Sequence, residues 1–128
     1  MDKNPVVLIV EDDEVAQLMA EAALLPHAEV LIAGSLHKAS NIIRSRPDIA
    51  YIILDGRVPN FENEPLRVVD TTHDLVWDIE RFLPGATIYS ASSEASLNDE
   101  LVEIGCIRAT KNTAPGMVVA DILNKKKT

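Results

Sequence analysis

One cysteine, Cys106, stands in 128 residues, so no internal disulfide can hold this chain and its fold must rest on a packed core. Long apolar runs are missing too. None approaches the roughly 18 residues that a membrane-spanning helix needs, and the start MDKNPVV has no apolar signal-peptide core. A cytoplasmic protein with no membrane partner is expected. Positive charge is scarce: the net charge is -8, and a chain without a basic face is repelled by nucleic acid, so proteins or cations are the expected partners. The one basic cluster, Lys125-Lys126-Lys127, falls at the end of the last expected helix, where cations complement the helix dipole. Repeats and low-complexity linkers are absent as well, and the length fits a single domain, 1–128, with no output domain.

What the chain does have is a recurrence. Four short apolar runs each stop at a polar residue suited to phosphate chemistry: Val6 to Val10 at Glu11-Asp12-Asp13, Ile49 to Leu54 at Asp55, Thr87 to Tyr89 at Ser90, and Ile107 to Thr110 at Lys111. If the runs are parallel strands, their carboxyl ends share one edge of a sheet, where open α/β sheets bind ligands.

The segments between the runs have helical spacing. Asp13 is placed to cap a helix in which Val15, Leu18, Met19, Ala22 and Leu25 recur, and Pro26 ends it. Glu29 to Ala33 reads as a strand. After Gly34-Ser35, Leu36, Ala39 and Ile43 share a helical face. The polar stretch RVPNFENEP follows Asp55 without periodicity. A long helix is expected over Leu66 to Phe82, with Val69, Val76, Ile79 and Leu83 inward. Ala86 to Tyr89 is a fourth strand. Next comes a helix capped at Ser92 or Ser93, bearing Leu97, Leu101 and Ile104 and stopping at Gly105. A fifth strand over Ile107 to Thr110 leads into a helix from Thr113, with Pro115 in its first turn and Val119, Ile122 and Leu123 buried. Cys106, beside that strand, reads as a small buried hydrophobe. Five strands alternating with five helices predict an α/β fold: a doubly wound five-stranded parallel sheet in the flavodoxin-like order 2-1-3-4-5, with helices on both faces. That order makes the first and third strands neighbours and brings Asp12 beside Asp55.

Carboxylates gathered at neighbouring strand ends repel one another unless a cation compensates, and Mg²⁺ with its oxygen ligands is the natural one. Asp55, alone after the most apolar run and followed by Gly56, has the position of a nucleophile that could attack phosphorus and form an aspartyl phosphate. Lys111 could neutralise a phosphoryl oxygen and Ser90 could donate to another. Taken singly these residues have plainer explanations. Acids after a strand often cap helices, as preferred for Asp13, and a lone Ser or Lys at a strand end is usually solvated. Their joint occurrence on one edge carries the reading.

The segments VVLIVEDDE, IILDGRVP, IYSAS and IRATK, in this order, resemble the receiver domain of two-component response regulators over essentially the whole chain. The resemblance implies that Glu11 and Asp12 are the acidic pair, with Asp12 a direct Mg²⁺ ligand. It implies that Asp55 accepts the phosphoryl group, and that Arg57 offers its backbone carbonyl to the metal. Ser90 and Lys111 then match the family's hydroxyl and lysine. A histidine kinase or phosphotransfer protein would be the donor and a downstream protein the target. Such a domain is no enzyme beyond its own phosphorylation and dephosphorylation.

The chain departs from the family in three places. Arg108 stands where receivers usually carry an aromatic switch residue, and Asn112 where a proline usually follows the lysine. The span from Asp55 to Ser90 is about five residues long of the family norm, an excess assigned to the Phe61 to Pro65 loop and the start of the next helix. Arg108, always charged and costly to bury unpaired, is expected on the surface near Glu100 or Glu103. Two other readings stay open: a receiver-like binding module that works without phosphate, and a phosphohydrolase of the haloacid-dehalogenase type. The latter needs a second aspartate where this chain has Arg57.

Overall fold

A computed structural model describes residues 4–127. Its sheet grows from the apolar runs. Strands β1 (Val6–Val10), β2 (Glu29–Ala33), β3 (Ile49–Leu54) and β4 (Thr87–Ser90) pair in parallel in the order β2-β1-β3-β4. Val10 is level with both Ala33 and Leu54, and Leu54 with Ser90. Every residue of β1 is buried, as expected for a strand covered on both faces.

Alternate side chains feed two cores. Leu8, Val10, Ile52 and Leu54 pack against helices α2 (Leu36–Ser45), α3 (His73–Phe82) and α4 (Ala95–Glu103), through Ile43, Val76, Ile79 and Leu101. Val7, Ile9, Tyr51 and Ile53 face α1 (Glu14–Leu24) and α5 (Ala114–Lys126), through Ala20, Leu24, Val118 and Ile122. Among the described residues no helix is long and apolar enough to cross a membrane. Local signals place several boundaries as expected. Asp13 accepts from Ala16 N–H at 2.8 Å as the cap of α1, Ser35 caps α2, and Gly105 takes φ 115° after α4.

Five expectations are corrected. The fifth strand does not form: among the described residues the sheet has four strands, and Ile107 to Thr110 contributes one parallel bridge, Tyr89 to Ile107. The reason is chemical. Past Ile107 the next rung is taken by a side chain, because the Ser90 hydroxyl accepts from Ala109 N–H and donates to Ala109 C=O, both at 3.0 Å. Helix α3 begins at His73 instead of Leu66. Arg57 and Thr71 bridge antiparallel, and the Asp70 carboxylate takes the Arg67 N–H at 3.0 Å, local bonding that competes with a helix. Val69 is therefore 76% exposed, not inward.

The expected inner face of α1 is the outer one. Val15, Leu18, Met19 and Leu25 are 54–65% exposed and Ala22 is exposed. The helix seats a narrower stripe, Ala20 and Leu24, on the sheet. In α5 the buried positions are Ala114, Pro115, Val118 and Ile122, with Val119 partly buried and Leu123 41% exposed. The start of α4 also differs. Glu94 is its cap residue, and the Ser92 hydroxyl accepts from the Glu94 N–H at 3.0 Å.

Candidate phosphoryl and metal site

At the carboxyl ends of β1 and β3, Glu11, Asp12 and Asp55 converge, each offering a carboxylate oxygen within 4.8 Å of the others. Strand pairing brings this about, since the Asp55 N–H donates to the Val10 carbonyl and the Glu11 N–H to the Ala33 carbonyl, both at 3.0 Å. Glu11 is buried and held at both oxygens: Oε2 accepts from Asp13 N–H at 3.0 Å, and Oε1 lies 3.0 Å from Lys111 Nζ. Gln17 Nε2 donates to the Glu11 carbonyl at 2.6 Å. Lys111 Nζ also reaches Asp55 Oδ2 at 3.4 Å, so one ammonium bridges two of the three acids. Asp12 faces solvent at the rim.

The electrostatics follow from this crowding. Burial, and then the charge of Glu11, push the Asp55 carboxyl up to about 7, while Lys111 pulls it down. Asp12 is raised too, by burial first and by Glu11 as hydrogen-bond partner and charge. For Lys111, burial works against the ammonium, but the hydrogen bond to Glu11 and the charges of Asp55 and Glu11 outweigh it and hold the group above its ordinary value. Three oxygen donors with one cation leave negative charge uncompensated, which fits a hard divalent ion of the Mg²⁺ kind.

Ser90 is not joined to this cluster by its hydroxyl, which is fully buried and donates its proton to Ala109. To serve a phosphoryl group it would have to leave both of its bonds to Ala109. Arg57 lines the same cavity as Asp12, Asp55 and Lys111, and its side chain turns to the surrounding loops, donating from Nε to the Val68 carbonyl at 2.9 Å and pairing with Glu94. Arg108 stays on the surface as expected, but its partner is Asp99, at 2.6 Å. Glu100 is drawn off toward His73, 3.4 Å away.

Gly56 has a packing role. A Cβ there would meet Leu97 Cδ1 at 2.7 Å and Leu97 Cβ at 2.9 Å, so the glycine lets α4 close onto the end of β3. Four other supporting residues are missed by the sequence reading. Thr72 Oγ1 donates to the carbonyl of Asp55 itself at 2.6 Å. Asn98, buried, accepts from Ser92 N–H and donates to Ser92 C=O, both at 2.9 Å, fixing the loop after β4. Arg67 and Asp70 brace the loop after β3. Thr72 and Asn98 carry a weak sequence signal at most, as small polar residues within otherwise amphipathic helical spacing.

No protein-family model matches the sequence, and a search of curated proteins returns no match. Solved structures do match. A response regulator receiver domain protein from Methanospirillum hungatei aligns over 96% of this chain and 94% of its own, with TM-score 0.74 and 19% identity. The receiver domain of the stress response regulator RcsB from Escherichia coli aligns over 98% and 95%, with TM-score 0.73 and 15% identity. A response regulator from Burkholderia pseudomallei, solved with a phosphorylated aspartic acid and a calcium ion, aligns over 91% of this chain and 65% of its own, with TM-score 0.73 and 16% identity. By TM-score and length of alignment, the chain is similar to the receiver domains of response regulators and has their fold.

Proposed function

We propose that this chain is a receiver domain of two-component signalling. In this reading it accepts a phosphoryl group on Asp55 from a histidine kinase or phosphotransfer protein, with Mg²⁺ present, and signals through contacts with a downstream protein. The observation that carries the reading is the joint arrangement of Glu11, Asp12 and Asp55 within 4.8 Å, bridged by Lys111 at 3.0 and 3.4 Å. A response regulator of the same fold with a phosphorylated aspartic acid supports it.

Asp12, Asp55 and the backbone carbonyl of Arg57 would hold the metal, with Glu11 behind them. When bound, Mg²⁺ supplies positive charge to phosphoryl oxygens and offsets repulsion among the acids. The rest belongs to the chain. An Asp55 carboxylate oxygen attacks phosphorus as the bond from phosphorus to the donor's leaving atom breaks, and that atom keeps the electron pair. Lys111 neutralises charge gathering on the phosphoryl oxygens. Ser90 joins only by giving up its bonds to Ala109. The added charge would then reorganise the neighbouring surface. The exposed apolar stripe of α1, beside the acidic edge, supports a protein partner.

Metal binding gives the first check. Millimolar Mg²⁺ should raise the melting temperature of the unmodified chain, since a ligand at about 100 times its Kd adds roughly 2.7 kcal/mol, and Asp12→Ala should abolish the rise. An unchanged melt of the wild-type chain would count against the site.

A further inference from the structure

The loop between β3 and α3 crosses the mouth of the Asp55 cavity. Leu66, Arg67 and Val68 form one wall of a space of about 280 Å³ whose other lining residues include Asp12, Asp55, Lys111 and Ser93. This strap is fastened along its length. At its start the carbonyls of Pro59 and Asn60 accept from the first N–H groups of α2, at 2.8 and 2.9 Å, and the Phe61 ring lies 4.9 Å from that of His37. In its middle the Val68 carbonyl is gripped by Arg57 Nε, while the same guanidinium is held from across the cavity by Glu94. Near its end Arg67 closes on the buried Asp70 through three hydrogen bonds of 3.0–3.3 Å. At its end the Thr72 hydroxyl is tied to the Asp55 carbonyl.

A loop needs no such series of ties merely to connect a strand to a helix. We propose that this strap is a shield that sets how long a phosphoryl group on Asp55 survives water, with Leu66 and Val68 as its wall and the Arg57–Glu94 pair as its clasp. The inference rests on Asp55 being the acceptor. Loss of the phosphoryl group is hydrolysis: a water oxygen bonds to phosphorus, the bond from phosphorus to the Asp55 oxygen breaks, and the carboxylate is restored. Inorganic phosphate leaves carrying the water's oxygen, with the displaced proton released to solvent or phosphate. The attacking water must reach phosphorus through the cavity that Leu66 and Val68 line. Both side chains are also exposed, Leu66 by 47% and Val68 by 78%, so they contribute little to the core. Apolar groups at that position are accounted for by the exclusion of water.

The test loads the whole chain with acetyl phosphate and Mg²⁺, removes the donor on a desalting column, and follows the phosphorylated fraction by intact mass. Wild type is compared with the double variant Leu66→Gly/Val68→Gly, which thins the wall, and with Glu94→Gln, which weakens the clasp. Each should take up one phosphoryl group, and the double variant should lose it about tenfold faster than wild type. Glu94→Gln should fall between them. Decay at the wild-type rate in both variants overturns the shield while leaving the acceptor in place. A wild-type chain that takes up no phosphoryl group overturns the acceptor reading itself, and the shield with it.

Discussion

Crowding of the acids should make the metal-free chain lose stability as pH rises. The Asp55 carboxyl titrates near 7 in the fold against 3.8 as an ordinary group. Between those values the folded state holds a proton that the unfolded state has released, so folding weakens with rising pH and the loss is complete above about pH 7. A gap of about three pKa values corresponds to at most about 4 kcal/mol, with the pull of Lys111, 3.4 Å away, already included. Asp55→Asn keeps the shape and removes the charge. In EDTA the variant should exceed wild type by about 1 kcal/mol near pH 4.5 and by up to about 4 kcal/mol at pH 8, by urea unfolding monitored through circular dichroism. Titrating groups away from the cluster act equally in both proteins and cancel in the difference, whereas Glu11 and Lys111 feel the Asp55 charge and add to it. Stability curves for wild type and variant that run parallel from pH 4.5 to 8 would refute the reasoning, because they would mean that Asp55 is not destabilised by its surroundings.

Other predictions concern the scaffold around the site. Gly56→Ala should destabilise by about 1–3 kcal/mol, since its Cβ would fall 2.7 Å from Leu97 Cδ1 and α4 would have to shift; a thermal melt equal to wild type would contradict this. Asn98→Ala should cost about 2 kcal/mol, because the buried N–H and C=O of Ser92 lose their partners, as measured by chemical unfolding. Arg108→Ala removes an exposed pair with Asp99 and should change stability by less than about 1 kcal/mol, while binding to an output partner, followed by calorimetry, should weaken.

The carboxyl edge of the sheet is legible because the apolar runs end abruptly at polar residues, and parallel pairing of β1 with β3 makes two of those ends neighbours. Glu11, Asp12 and Asp55 meet for that reason, and Lys111 follows from the Tyr89–Ile107 bridge and the Ser90–Ala109 bonds. The fifth strand was misread because Ile107 to Thr110 has the composition of a strand while its next rung is supplied by the Ser90 hydroxyl, a side-chain substitution that no residue pattern reveals. The stretch from Leu66 to Thr72 reads as helix because Val69 falls in register with Val76 and Ile79, although Asp70 and Thr72 use their oxygens on backbone partners that hold the segment open. On α1 two apolar stripes compete. The bulkier one, Val15, Leu18 and Met19, is left outside because Ala20 lets the helix lie close to the sheet. The surface position of Arg108 followed from the cost of burying a charge, but its choice of Asp99 depends on Glu100 being turned toward His73.

The central claim is that Asp55 accepts a phosphoryl group, and covalent uptake tests it most directly. The chain is incubated with acetyl phosphate and Mg²⁺, its intact mass is measured, and the modified site is located by borohydride reduction and peptide mapping. One phosphoryl group is predicted on Asp55, absent from Asp55→Asn and strongly reduced in Lys111→Ala. An unmodified wild-type chain that nonetheless gains thermal stability from Mg²⁺ would contradict the claim and favour a receiver-like module that binds its partner without phosphate.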